Sequence, residues 1–221
     1  MANKQTNLNV RWAYLVVGVI AMLFAGVIYA WSILKSPLAG EFGWTPNDLA
    51  LNFTLTMCCF CLGGFFGSLL SKRLGHRICL ILAGVLGAAG FLLSATLTGS
   101  SVVLLYIFYA VLAGLGIGIA YNVLISTVSR WFPDKKGLCS GCLMMGFGAS
   151  ALVLGNLANA IFKSDAGWRT AYIILGAALG VVLLIAALIL KVPGADVVLP
   201  EAPQRKARSE EHTSELQSLA Y

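Results

Sequence analysis

The chain has 221 residues, of which 59% are hydrophobic and only 11% charged, with a formal net charge of +6. A soluble domain carries roughly 25% charged residues, so this composition excludes a water-solvated surface and points to lipid as the solvent. The charges cluster in short basic strings between long apolar windows, the pattern of repeated membrane crossings.

A helical crossing needs about 20 predominantly apolar residues, and six such runs are read: 12–33, 49–70, 78–97, 102–127, 138–162 and 170–190. The runs are long and do not alternate, which argues for helices and against barrel strands. The expected fold class is an all-α membrane protein with six transmembrane helices. The polar segment 1–11 is followed by no small-residue cleavage site, so the first run is expected to be retained and not removed as a signal peptide.

In the first run, Gly18, Ala21, Ala25 and Tyr29 recur at steps of three and four, a small-residue stripe ending in a phenol. Such stripes let helices approach closely. Tyr29 reads either as an interfacial anchor or as a cavity-facing hydrogen-bond donor. Thr45-Pro46-Asn47-Asp48 then supplies helix-start chemistry, with Thr45 as N-cap, Pro46 at the first position and an acid at the third. The six cysteines (Cys58, Cys59, Cys61, Cys79, Cys139, Cys142) lie in or beside apolar runs. They read as small packing residues, not as disulfides or metal ligands; no metal and no cofactor is expected.

Lys72-Arg73-Leu74-Gly75-His76-Arg77 reads as a basic loop between the second and third runs. In the fourth run, Gly114, Gly118, Asn122 and Ser126 recur every fourth residue. The glycines suit close helix packing, and their G-x-G spacing lacks the strand context of a nucleotide loop. Tyr121 and Asn122 are costly in lipid and are expected to face the bundle interior. Arg130-Trp131-Phe132-Pro133-Asp134-Lys135-Lys136-Gly137 follows. Pro133 ends the helix, the lysines hold the loop at the membrane face, and Gly137 with Gly141 opens the fifth run.

Basic residues are retained on the cytoplasmic side. With the N-terminus inside, six crossings leave only Lys35, Lys163 and Arg169 outside and twelve basic residues inside. The positive charge is therefore a topology signal, and no nucleic-acid partner is expected. All five tryptophans fall at run ends or in adjoining loops, as headgroup anchors do. Residues 192–207, with Pro193, Pro200 and Pro203, read as a cytoplasmic linker. The stretch Arg208–Ser218 resembles the translation of a common sequencing adapter, so 208–221 is expected to be a disordered artefact. The natural protein is expected to continue beyond Ala207 into a second half.

Tyr29-Ala30-Trp31-Ser32 with Pro37-Leu38, the GLGIGIAY of 114–121, the RWFPDKKG of 130–137, Gly146-Phe147-Gly148 and Gly167-Trp168 form a set. Together, across about 9–193, they resemble the oxalate/formate antiporter family of the major facilitator superfamily, and more distantly the monocarboxylate transporters. The resemblance implies the N-terminal six-helix half of a twelve-helix carrier in the cytoplasmic membrane, working by alternating access around a midplane cavity. It implies a small organic anion as substrate, contacted by Tyr29 and Tyr121, with the missing C-terminal half and membrane lipid as partners. Asn122 joins the two tyrosines as a cavity candidate. Arg73, Gly75, Arg77 and the 130–137 string are the loop residues of the pattern, although Lys72 stands where the family has an acid and Ser68 where it has a glycine. Two alternatives remain: a carrier of another substrate class, or a complete six-helix channel or interaction protein working as a dimer. An enzyme is not expected, because the runs hold no H-E-x-x-H, no G-x-S-x-G and no paired acids.

Overall fold

The computed structural model describes residues 9–99, 101–164, 166–194, 197, 199 and 200. Residues 1–8, most of the expected linker and the whole adapter-like stretch 208–221 lie outside the described residues. The described chain is helical: α1 (Asn9–Ala25), a 3-10 segment (Gly26–Ala30), α2 (Trp31–Phe42), α3 (Pro46–Ala95), α4 (Val102–Leu105), a π-helical segment (Tyr106–Ala113), α5 (Gly114–Ser129), α6 (Lys136–Phe162) and α7 (Gly167–Ile189).

The expectation of six transmembrane helices is corrected. Among the described residues five helical stretches are long and apolar enough to cross a membrane: Val10–Phe42, Pro46–Ala95, Val102–Ser129, Lys136–Phe162 and Gly167–Ile189. The two runs expected at 49–70 and 78–97 form one 50-residue element, α3. The Lys72–Arg77 string is helical on both sides of Gly75, because charged side chains on a helix turn leave the backbone ladder intact. Gly75 alone departs, at φ 80° and ψ 163°, a conformation open essentially only to glycine. There the element turns back on itself. A Cβ on Gly116 of α5 would stand 2.6 Å from Gly87 N, and one on Gly118 would stand 2.1 Å from Phe60 O. Phe60 and Gly87 lie on opposite sides of Gly75, so the two limbs of α3 flank the same stretch of α5.

Local chemistry explains the other boundaries. Thr45 caps α3 as the spacing predicts: its hydroxyl accepts from Asp48 N, the Asp48 carboxylate accepts from Thr45 N, and Pro46 takes the first turn. Trp131 N and Phe132 N close the end of α5 onto Val128 O and Ser129 O before Pro133.

Lipid offers no hydrophobic drive for helix association, so close packing of small residues must supply it. A Cβ on Gly26 would stand 2.1 Å from Phe147 O, and one on Gly146 would stand 2.8 Å from Val19 O; these glycines bring α6 against the first crossing. Gly176 lies against Phe91 Cβ at 2.7 Å by the same measure, seating α7 on the second limb of α3.

The bundle has two kinds of surface. Large exposed side chains on α7 and the second limb of α3 are aliphatic: Ile173, Ile174, Val181, Leu184, Ile185 and Leu188 on one, Ile78, Ile81, Leu82, Val85, Leu92 and Leu93 on the other. Elsewhere the exposed polar side chains Tyr29, Ser32, Thr54, Asn156 and Asn159 stand among exposed Leu62, Phe65, Met145 and Leu152.

Candidate functional site

Tyr29 sits in the 3-10 segment that separates α1 from α2, and Tyr121 sits in α5. Both meet Phe147 of α6. The Tyr29 and Phe147 ring centroids are 5.2 Å apart in a T-shaped arrangement, and those of Tyr121 and Phe147 are 4.9 Å apart. Phe60, from the first limb of α3, completes the group at 5.3 Å from Tyr121 and 5.8 Å from Phe147. Such edge-to-face pairs are worth about 0.5–1.5 kcal/mol each beyond their burial.

Gly26 makes this arrangement possible. Because it has no side chain, the backbone of α6 passes directly over it, which brings the Phe147 ring beside Tyr29 three residues on. Phe147 is buried, whereas Tyr29 is 42% exposed and Tyr121 is partly exposed. Among the described residues, neither tyrosine hydroxyl has a hydrogen-bond partner in the protein. The site therefore offers two free O–H groups above an apolar floor. Asn122 follows Tyr121 on α5 and is partly buried. Phe60 carries no signal of its own in the sequence, because an apolar ring within an apolar run does not stand out, and Phe147 is marked there only as the centre of Gly146-Phe147-Gly148, with no role assigned.

The loop residues separate into two sets at one end of the bundle. Asp134 accepts a 2.9 Å ion-paired hydrogen bond from Arg11. The Arg11 guanidinium lies 5.1 Å from the Phe132 ring centroid and 5.7 Å from that of Trp12, and Lys135 Nζ stands 5.9 Å from Trp12. Trp131 donates its indole N–H to Lys191 O at 2.6 Å. Arg130, Lys136 and Gly137 are exposed. Arg73 and Arg77 are also exposed and join no ion pair among the described residues. Their neighbour His76 places Nε2 3.0 Å from Leu190 O, so that nitrogen carries the proton. The opposite end is held separately. Glu41 accepts from the Trp168 indole and from Arg169, whose Nη2 also donates to Leu97 O at 3.1 Å. Trp31, read as a headgroup anchor, is 3% exposed and donates to Leu49 O at 3.0 Å; Trp131 and Trp168 are buried as well.

Residues 15–219 match the family model described as Major Facilitator Superfamily. The chain is 32% identical over 200 residues to the oxalate:formate antiporter of Oxalobacter formigenes, covering 88% of this chain and 47% of that protein. It is 31% identical over 152 residues to monocarboxylate transporter 11 of Homo sapiens, covering 69% of this chain and 32% of that protein. The chain thus spans less than half the length of either relative. Among solved structures it superposes on the inward-open xylose transporter XylE of E. coli with a TM-score of 0.66 at 16% identity, covering 94% of this chain and 56% of that one; at this identity the likeness is one of fold.

Proposed function

The chain belongs to the major facilitator superfamily, and from that premise we propose that the intact protein is a secondary carrier of a small organic anion of the oxalate, formate or monocarboxylate kind. Together with a second half it would bind its substrate between two bundles and release it by alternating access. The Tyr29–Phe147–Tyr121 group carries this reading. Two hydroxyls without protein partners, on rings braced by a third, suit the oxygens of a carboxylate. The names of the two relatives, an oxalate:formate antiporter and a monocarboxylate transporter, agree with that chemistry. The countercharge would come from the second half.

We place the end that gathers Arg11, Arg73, Arg77, Arg130, Lys135 and Lys136 in the cytoplasm of a plasma-membrane protein, by retention of basic residues. The aliphatic surface of α7 and the second limb of α3 would then face lipid, and the Tyr29 surface would face the second half. Residues 192–207 would lead into that half.

Uptake of a labelled dicarboxylate by the intact carrier tests the assignment. A hydrogen bond to a charged group is worth about 1.5 kcal/mol or more, so Tyr29→Phe and Tyr121→Phe should each raise the apparent KM about tenfold. An unchanged KM in both variants would remove the tyrosines from the site.

A further inference from the structure

We propose that the cleft between the end of α5, the start of α6 and the segment after α7 is a binding site for the phosphate group of an anionic phospholipid. The cleft is about 430 Å³ and is lined by Ser126, Ser129, Arg130, Pro133, Lys136, Val192 and Pro193. Its lining holds a guanidinium, an ammonium and two hydroxyls, and no carboxylate. The nearest acid in sequence, Asp134, is turned away into its pair with Arg11. Arg130 and Lys136 have no ion-pair partner among the described residues, unlike Arg11 and Arg169.

The donors have different amounts of freedom. Ser126 spends its proton on Val123 O at 3.1 Å and can only accept. The Ser129 hydroxyl has a single long hydrogen bond among the described residues, with Cys139 Sγ at 4.0 Å, and can turn toward an anion. Lys136 is the first residue of α6, and Lys135 before it gives the first turn no side-chain cap. A Cβ on Gly137 would meet nothing within 4 Å, so this first turn is open from outside. Helix starts of this kind attract anions. The far wall is fixed, because the Trp131 indole holds Lys191 O immediately before Val192 and Pro193.

On the membrane placement proposed above, the cleft would lie where the apolar bundle meets the headgroup layer. Basic pockets between transmembrane helices at that level hold acidic headgroups, whose negative surface potential adds to each cationic contact. A free phosphate ion would satisfy the same donors without the acyl chains. The site does not depend on the carrier's substrate, and it rests on the cytoplasmic placement of this end proposed above.

Native mass spectrometry of the detergent-purified chain tests it, with dioleoyl-phosphatidylglycerol, dioleoyl-phosphatidylcholine or inorganic phosphate added. Phosphatidylglycerol should be retained in preference to phosphatidylcholine. R130Q/K136Q should weaken that retention about tenfold, R130K/K136R should restore it, and K72Q/R73Q on α3 should leave it unchanged. Resistance of the lipid adduct to excess inorganic phosphate supports the lipid source, and saturable phosphate binding lost in R130Q/K136Q supports the same site with a soluble ligand. Equal retention of the two lipids, or equal losses in R130Q/K136Q and K72Q/R73Q, would overturn the proposal.

Discussion

At the scale of single residues, the positions that matter most are those where a side chain is absent. Gly118 packs so closely on the first limb of α3 that an added methyl would stand 2.1 Å from Phe60 O, a backbone atom that cannot rotate aside. Gly118→Ala should therefore cost about 1–3 kcal/mol by overpacking, read as a lower melting temperature in detergent. Gly141→Ala should be close to neutral, because nothing lies within 4 Å of its new Cβ. The sequence shows both glycines in four-residue spacing, and spacing alone does not distinguish the packed from the open one.

The ion pair is similar. Asp134 was legible as part of a membrane-face loop, but its partner Arg11 lies 123 positions away and carries no motif. The two side chains are 10% and 15% exposed. Asp134→Asn leaves Arg11 without its countercharge in a largely dry site, and should lower stability by about 1–3 kcal/mol. Retention of the wild-type melting temperature would show that the cation–π contacts hold Arg11 without it.

At the scale of elements, the six expected crossings give way to five helical stretches. The expected runs 138–162 and 170–190 appear as Lys136–Phe162 and Gly167–Ile189. The first and fourth runs are present but not uniform. The first passes through a 3-10 segment at Gly26–Ala30, and the fourth through a π-helical segment at Tyr106–Ala113. Changes in winding of this kind arise from tertiary packing, here the backbone of α6 lying on Gly26, and hydropathy does not record them. The basic string 72–77 marked the place where the chain turns, yet suggested a loop where helical backbone runs up to Gly75 from both sides. Gly75→Ala forces a Cβ into a region it rarely enters, at a cost of about 1–3 kcal/mol. Limited proteolysis near Lys72–Arg77 should become faster in that variant if the turn depends on glycine. Unchanged cleavage would show that the limbs impose the reversal without it.

At the scale of the whole molecule, an all-helical membrane protein and its superfamily could be read from the chain, whereas the number of crossings and the working surface could not. Charge poverty and run length point to a helical membrane protein, and RWFPDKKG with its companion motifs points to the superfamily that the match over 15–219 establishes. Which residues of the bundle are exposed needs the packing, because the same apolar helices supply both buried and exposed positions. Tyr29 and Tyr121 were legible as candidates; that they share Phe147 was not, since the three come from separate crossings. The two ends of the bundle are fastened independently, by Arg11 with Asp134 at one and by Glu41 with Trp168 and Arg169 at the other.

The central claim is that this surface handles a small carboxylate. The most direct test is exchange by the intact carrier in proteoliposomes preloaded with formate, followed as uptake of labelled oxalate and other short carboxylates against labelled xylose. The account predicts saturable carboxylate exchange that weakens in Tyr29→Phe and Tyr121→Phe, with no uptake of the sugar. Transport of the sugar with no carboxylate exchange would contradict it.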